Sequence, residues 1–291
     1  MLVLRLASIA AALSLGACAA PFHKPLTAEN KQRIRSVDVQ VIVPQETFML
    51  SAKAPGVALA MGGGLIGAMI DSSIQKSRQA DMSSEIRSTI GQLARVDFRR
   101  EADAALQGAV QAPASGNGLP FTVQSAKVLA TTPGKAESER LLAATTDGPA
   151  VLLLLVQYAL EPGLSAFTTR TSALLRQDGK TETSFQSAAI YQMPLPTGSR
   201  DAVLAQLSAN DGQLLRSYMQ ESVNETLRMV ALDWTTPPTT GQSASGNLKA
   251  HRFNQYGTVV ELPATTVAAA GNRTVVRNKT GTLFSLQTES K

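Results

Sequence analysis

Residues 150–160 read Ala-Val-Leu-Leu-Leu-Leu-Val-Gln-Tyr-Ala-Leu. Gly-Pro precedes this apolar run at 148–149, and Pro-Gly follows it at 162–163. An apolar run of this length between such turn signals is typical of a central strand that is buried on both faces. A buried helix is the alternative, since periodicity alone does not separate the two structures in a short apolar run. The flanking residues favour the strand, and we expect a sheet to be built around it.

Other segments on both sides of this run show strand or helix periodicity. Valines occupy every second position from 37 to 43, which predicts a strand ending at Pro44. Asp178-Gly179 is a strong hairpin signal, and Asn210 or Asp211 is suited to be a helix N-cap. The predicted strands cover residues 35–43, 121–130, 150–160, 164–177 and 180–193, and the predicted helices cover 71–110 and 199–232, the second as one helix or two. This order predicts an α+β fold, mainly an antiparallel sheet with two long helical segments.

The composition changes near residue 235. Residues 235–249 are rich in Thr, Pro, Ser and Gly, which predicts a linker between an α+β domain at 30–234 and a short β-rich extension at 250–291. Short β-like runs lie at 258–262, 274–276 and 283–286. Because about forty residues barely support a hydrophobic core, we expect this extension to fold back onto the main sheet or onto a partner.

The N-terminus has the features of a secretory signal. Arg5 and the α-amine supply positive charge, and residues 6–15 are apolar apart from Ser8 and Ser14. The apolar run is shorter than the roughly 20 residues that a membrane-spanning helix needs. We therefore predict a cleaved signal peptide at residues 1–17, followed by a tether at 18–29 that Pro21 and Pro25 keep extended.

The end of this signal, Leu15-Gly16-Ala17-Cys18, contains the only cysteine of the chain. It resembles the lipobox of bacterial lipoproteins. The resemblance implies that Cys18 is diacylated on sulfur, that the signal is removed before it, and that its new amine is acylated. Ala19 follows, where inner-membrane lipoproteins of enterobacteria usually carry aspartate, so the resemblance implies an outer-membrane location on the periplasmic side.

Several acyl chains would give a stable membrane anchor, whereas one chain binds only marginally. The alternatives are an ordinary secretory signal with a cysteine near the cut by chance, or a thiol buried in the core. If Cys18 carries lipid, no disulfide can form within the chain, and packing alone must stabilise the fold.

The overall composition limits the classes of partner. Charged residues make up 17% of the 291 residues and the net charge is only +5, with no long basic run, which argues against nucleic acid. Aromatic residues at 4% are too scarce for a platform that stacks bases. Weak contact with anionic lipid phosphates stays open, although a solvated surface is the simpler interpretation of the basic residues.

Residues 54–70 contain no charged side chain and include five glycines. By letter they contain G-x-G-x-x-G, but the βαβ context of a dinucleotide site does not continue downstream, so we expect no cofactor. Small residues also recur every four positions, a pattern that lets helices approach closely in oligomers or membranes. The candidate contact residues are Gly56, Ala60, Gly63, Gly64, Gly67 and Ala68. A closely packed Gly-rich connection is the favoured alternative, since each helical glycine costs about 1 kcal/mol.

Catalytic and metal-binding patterns are scarce. The two histidines, His23 and His251, lie at opposite ends of the chain, and we expect both to be solvated. No H-E-x-x-H or G-x-S-x-G pattern occurs, so we expect no metal site and no catalytic triad.

The sequence therefore predicts a lipid-anchored outer-membrane protein that acts as a non-enzymatic scaffold, assembly or interaction factor, binding another envelope protein or itself. A secretion or pore-type subunit that uses residues 54–70 is one alternative. A periplasmic hydrolase with an unrecognised site is another.

Overall fold

In the computed structural model of the chain, one large sheet carries most of the described structure. The structure describes residues 23–45, 49–50, 93, 97–111, 121–129, 135–141, 148–177, 182–236, 248–255 and 258–287. The strands are β1 Ser36–Ile42, β2 Met49–Leu50, β3 Thr122–Leu129, β4 Ala150–Leu160, β5 Ala166–Arg176, β6 Phe185–Pro194, β7 Lys249–Gln255, β8 Thr258–Ala270, β9 Arg273–Asn278 and β10 Leu283–Gln287. The helices are α1 Ala28–Arg33, α2 Phe98–Gln111, α3 Lys135–Leu141 and α4 Arg200–Thr235, and a short 3-10 turn occupies Pro162–Leu164.

The sheet is mixed in its strand directions. Its order is β3-β1-β4-β5-β6-β10-β9-β8-β7, and β2 pairs with β4 outside this path. Among the described strands, β1 is parallel to both β3 and β4, β2 is parallel to β4, and β10 is parallel to β6. The remaining pairs, β4–β5, β5–β6, β7–β8, β8–β9 and β9–β10, are antiparallel.

The prediction of a mainly antiparallel sheet is therefore wrong. The physical reason for the parallel pairs of β1 lies in the connections: α2 stands between β1 and β3, and α3 stands between β3 and β4. A helical crossover returns the chain to the same end of the sheet, so the next strand runs parallel. Periodicity identified the strands but carried no information on their partners. The second correction concerns the helices, because only α4 is long within the described residues, and most of the predicted helix at 71–110 lies outside them.

The core lies mainly between the sheet and the helices α2 and α4. Alternate residues of β4, including Leu152 and Leu154, belong to the large cluster on this side. Leu153 and Leu155 belong to a smaller cluster with Ile42 on the other face. The central strand is thus buried on both faces, as its apolar sequence predicts.

The long helix α4 is interrupted after its third turn. Ser199 caps its N-terminus by accepting a hydrogen bond from the Ala202 N–H. Asn210, Asp211 and Gly212 have left-handed backbone angles, with φ values of 50°, 55° and 79°. The break falls at the residues that the sequence favoured as the start of a second helix, and α4 packs along β5, β6 and β10.

The last four strands extend the main sheet. Leu283, Phe284 and Ser285 of β10 pair with residues 189–191 of β6 in parallel register. Residues 258–287 thus lie on the main sheet, one of the two placements that the sequence left open. No helix in the described ranges is both long and apolar enough to span a bilayer.

Candidate functional site

Three polar side chains meet where the N-terminal segment reaches the sheet. His23 Nε2 lies 3.0 Å from Asp233 Oδ1 and 3.1 Å from Oδ2. Arg277 also donates from Nη1 to Asp233 Oδ1. We call these three residues the tether junction, because they join the segment after Cys18 to the last turn of α4 and to β9.

Backbone contacts place His23 at this position. The next residue, Lys24, forms a two-way antiparallel bridge with Gln186 at the start of β6, with N···O distances of 2.8 and 2.9 Å. On the other side, Gly281 in the turn between β9 and β10 lies directly against the histidine. A Cβ atom added there would be 2.3 Å from His23 Cβ, and the φ of +88° also favours glycine. The histidine is therefore held between the start of β6 and the β9–β10 turn.

The Asp233 carboxylate is almost completely buried, with 1% of its side chain exposed. Burial by itself raises the pKa of this group, but the hydrogen bond to His23 and the positive charge of Arg277 outweigh the burial. The pKa of Asp233 is therefore lowered from its ordinary value, and the folded protein holds this group as an anion.

The geometry is that of a structural ion pair. In a catalytic triad the histidine bonds the carboxylate through Nδ1 and keeps Nε2 for the nucleophile. Here the Nε2 atom itself faces Asp233, and Arg277 Nη1 lies 3.2 Å from the same nitrogen. Because a guanidinium only donates, Nε2 cannot donate to Asp233 and accept from Arg277 at the same time. The arrangement holds the N-terminal segment against α4 and β9.

A second group of charged residues joins α4 to the C-terminal strands further along the same helix face. Arg228 donates two hydrogen bonds of 2.7 Å to the two Glu225 oxygens, and Ser285 on β10 donates one of 2.6 Å to Oε1. Burial raises the pKa of Glu225, but the hydrogen bonds from Arg228 and Ser285 outweigh it, so the pKa is lowered.

Arg273 on β9 contacts three neighbours at once. Its Nη1 and Nη2 donate to the Gln192 carbonyl oxygen at 3.2 and 2.9 Å. Its Nε lies 3.4 Å from Glu221 Oε1. The central carbon of its guanidinium lies 4.1 Å from the centroid of the Tyr191 ring. The guanidinium thus stacks on an aromatic face while it pairs with a carboxylate, a combination that lysine could not replace. Together with the tether junction, these contacts run along one seam between α4 and the strands β6, β9 and β10.

The described residues contain no cluster of three or more His, Cys, Asp or Glu side chains that could hold a metal ion. His251 lies on β7, half-buried and away from the tether junction. Its pKa is lowered by burial and by the positive charge of Lys249. His23, which the sequence led us to expect in solvent, is instead a structural contact.

The predicted lipidation, cleavage and contact residues lie outside the described residues. These are Leu15, Gly16, Ala17 and Cys18 of the lipobox-like motif, and Gly56, Ala60, Gly63, Gly64, Gly67 and Ala68 of the Gly-rich segment. Their predicted roles stay predictions.

Sequence reasoning missed the acidic side of the seam, although a signal was present. Glu221, Glu225 and Asp233 recur at multiples of four along α4, which puts them on one helix face. Arg273 and Arg277 are also four apart, on one face of a strand. Matching an acidic helix face with a basic strand face would have suggested this contact.

Comparison of the chain with protein-family models and with curated proteins gives no match. The functional conclusion therefore depends on the sequence and the geometry of this chain alone.

Proposed function

We propose that this chain is a lipoprotein of the bacterial envelope, anchored through Cys18 in the outer membrane with its domain in the periplasm. Its function would be that of a non-enzymatic scaffold or interaction factor. The observation that carries the proposal is the position of the only cysteine, directly after an apolar signal-like run and five residues before the first described contact of the fold, at His23.

The tether junction supports this proposal. A lipid anchor transmits its position to a domain only if the chain after it is attached firmly. His23 is held by a buried carboxylate and by the turn at Gly281, and Lys24 continues into a backbone bridge with β6. The spacer between lipid and domain is therefore short.

The edges of the sheet favour an interaction function. Within the described residues, β3 and β7 each pair with a strand on one side only. An edge strand offers backbone N–H and C=O groups that a partner strand can bind. Lys127 on β3 is exposed at such an edge.

The anchor is tested by feeding cells an alkyne fatty acid and measuring its incorporation into the protein. We expect labelling of the native chain and of the control variant Ala20→Ser, and loss of labelling in Cys18→Ser. Equal labelling of Cys18→Ser, or none of the native chain, would contradict the proposal. In an enterobacterial host, the change Ala19→Asp should move the protein toward the inner-membrane fraction.

The interaction function is tested by photo-crosslinking in intact envelopes. A photoreactive residue at Lys127 should give a discrete adduct, whereas one at Gln206, exposed on α4, should not. A lack of adducts from both positions would argue against a scaffold that binds through this edge.

A further inference from the structure

Several features of the molecule lie at one end of the sheet. The tether junction is there, since His23 contacts Gly281 in the β9–β10 turn. The antiparallel partner of Asn278, the last residue of β9, is Ala264 of β8. The six residues of β8 before Ala264, 258–263, pair with β7 and not with β9. They form, with β7, a two-stranded ribbon, which we define as residues 249–255 and 258–264.

The ribbon extends past the sheet at the end where His23 lies. Strands advance about 3.4 Å per residue, so residues 258–263 project about 20 Å beyond Asn278. The five steps from His23 to Cys18 span at most about 18 Å when fully extended. Cys18 and the end of the ribbon can therefore lie at about the same distance beyond the sheet. An anchor at Cys18 would then bring the bilayer surface within reach of the ribbon.

The charge at this end is also distinctive. Residues 23–35, 182–184, 249–263 and 279–282 contain seven basic side chains and three acidic ones, an excess of four positive charges. The basic residues are Lys24, Lys31, Arg33, Arg35, Lys249, Arg252 and Lys279. The acidic residues are Glu29, Glu182 and Glu261. Each of these is exposed except Lys31, which is half-exposed. We call this surface the basic end.

The described residues counted at the opposite end show no such excess. Around the first turns of α2 and α4, three basic residues accompany three acidic ones, namely Arg99, Arg100 and Arg200 with Asp97, Glu101 and Asp201. Arg99 there donates to the carbonyl oxygen of Val43, just after the far end of β1. The excess of basic residues counted here therefore lies at one end of the strands.

Between Arg252 and Glu261 the sequence contains no charged residue. The ribbon thus has Lys249 and Arg252 toward its base and a sequence without charge toward its end.

We infer that the basic end faces the bilayer that carries the anchor, and that its partner is the anionic phosphate of phospholipid headgroups, which the β7–β8 ribbon contacts. This inference rests on the proposed lipid anchor. Basic residues close to an anionic surface each strengthen binding about fivefold, so the basic end orients a domain that the lipid alone would leave free to rotate.

The test uses lipidated protein reconstituted in vesicles that contain phosphatidylglycerol. Because the only native cysteine would carry lipid, one introduced cysteine can be labelled specifically. A fluorophore at Asn254→Cys lies in the ribbon, and the control Asn272→Cys lies in the β8–β9 turn, about 40 Å away along β8. We expect lipids with quenchers near the headgroup to quench the label at 254 but not the label at 272.

A charge variant tests the orienting force. Neutralisation by Lys31→Gln with Arg33→Gln should shift the equilibrium away from the membrane-facing orientation about thirtyfold and abolish quenching at 254. The matched variant Arg100→Gln with Arg200→Gln, at the opposite end, should leave quenching unchanged.

The outcomes separate the two proposals. Equal quenching at 254 and 272 in protein that stays on the vesicles would overturn the orientation while the anchor stands. Quenching at 254 that persists in the Lys31 and Arg33 variant would overturn the part assigned to the basic residues. Protein that does not remain on the vesicles at all would overturn the anchor itself.

Discussion

Replacing Asp233 by Asn tests how strongly the tether junction holds the molecule together. The carboxylate is the shared partner of His23 and Arg277, whose side chains are only 14% and 13% exposed. Asparagine keeps the size and one oxygen acceptor but removes the negative charge. The histidine and the guanidinium would then face each other with no anion between them.

The expected cost follows from this burial. Removing one partner of a fully buried ion pair destabilises a protein by about 3–5 kcal/mol, because the other charge stays desolvated. Since His23 and Arg277 retain some solvent contact and asparagine still accepts one hydrogen bond, we expect about 2–3 kcal/mol for Asp233→Asn. The control Glu137→Gln removes an exposed ion pair to Arg140, with an N···O distance of 3.7 Å, and should cost at most about 0.5 kcal/mol.

The assay is urea unfolding followed by the fluorescence of Trp234, the only tryptophan. This residue is 3% exposed and packs against Phe121 and Phe185, with ring centroids 4.5 and 5.2 Å away. Circular dichroism in the far ultraviolet should report the same midpoint if unfolding is two-state. A loss of stability in Asp233→Asn no larger than that in Glu137→Gln would refute the assignment of the junction as a buried, stabilising contact.

The remaining predictions concern acid sensitivity and the turn that covers His23. The pKa values of Asp233 and Glu225 are lowered in the folded protein from their ordinary 3.8 and 4.5. In acid the unfolded state therefore binds more protons than the folded state. The free energy of unfolding should fall as the pH drops from about 5 through the folded pKa values. In urea titrations at a series of pH values, the free energy of unfolding of Asp233→Asn should fall less steeply with decreasing pH than that of the native protein. Equal pH dependence in the two proteins would contradict the lowered pKa of Asp233. Gly281→Ala should destabilise more than Gly271→Ala, which has open space around it and should cost about 1 kcal/mol for its φ of +57°. His23→Gly removes the Cβ atom that the new methyl group would meet, so the double variant His23→Gly with Gly281→Ala should cost less than the sum of the two single changes. A cost equal to that sum would show that the histidine is not the obstacle.

The sequence predicted local structure where the pattern was internal to one segment. The apolar run at 150–160, the hairpin between β5 and β6 and the break of α4 near Asn210 depend on residues close in the chain. Strand direction did not follow from such patterns. The pairing of β1 with β4 joins residues more than a hundred positions apart, and it is decided by the helical connections between them.

The candidate site was harder to predict for the same reason. His23 and Asp233 are 210 positions apart, and neither has a neighbouring residue that signals the contact. Pro21 and Pro25 suggested an extended tether, which made a solvated histidine the natural expectation. The burial of Asp233 depends on how α4 packs against the start of β6, and a single sequence does not contain that packing explicitly.

The central claim is that the chain is held at a bilayer through the residue five positions before the tether junction. Tandem mass spectrometry of the N-terminal peptide, from protein extracted from membranes, tests it most directly. The account predicts a peptide that begins at Cys18 and carries acyl groups on both its sulfur and its amine. An unmodified thiol at Cys18, or a peptide that still contains the residues before it, would contradict the anchor and with it the membrane-facing orientation of the sheet.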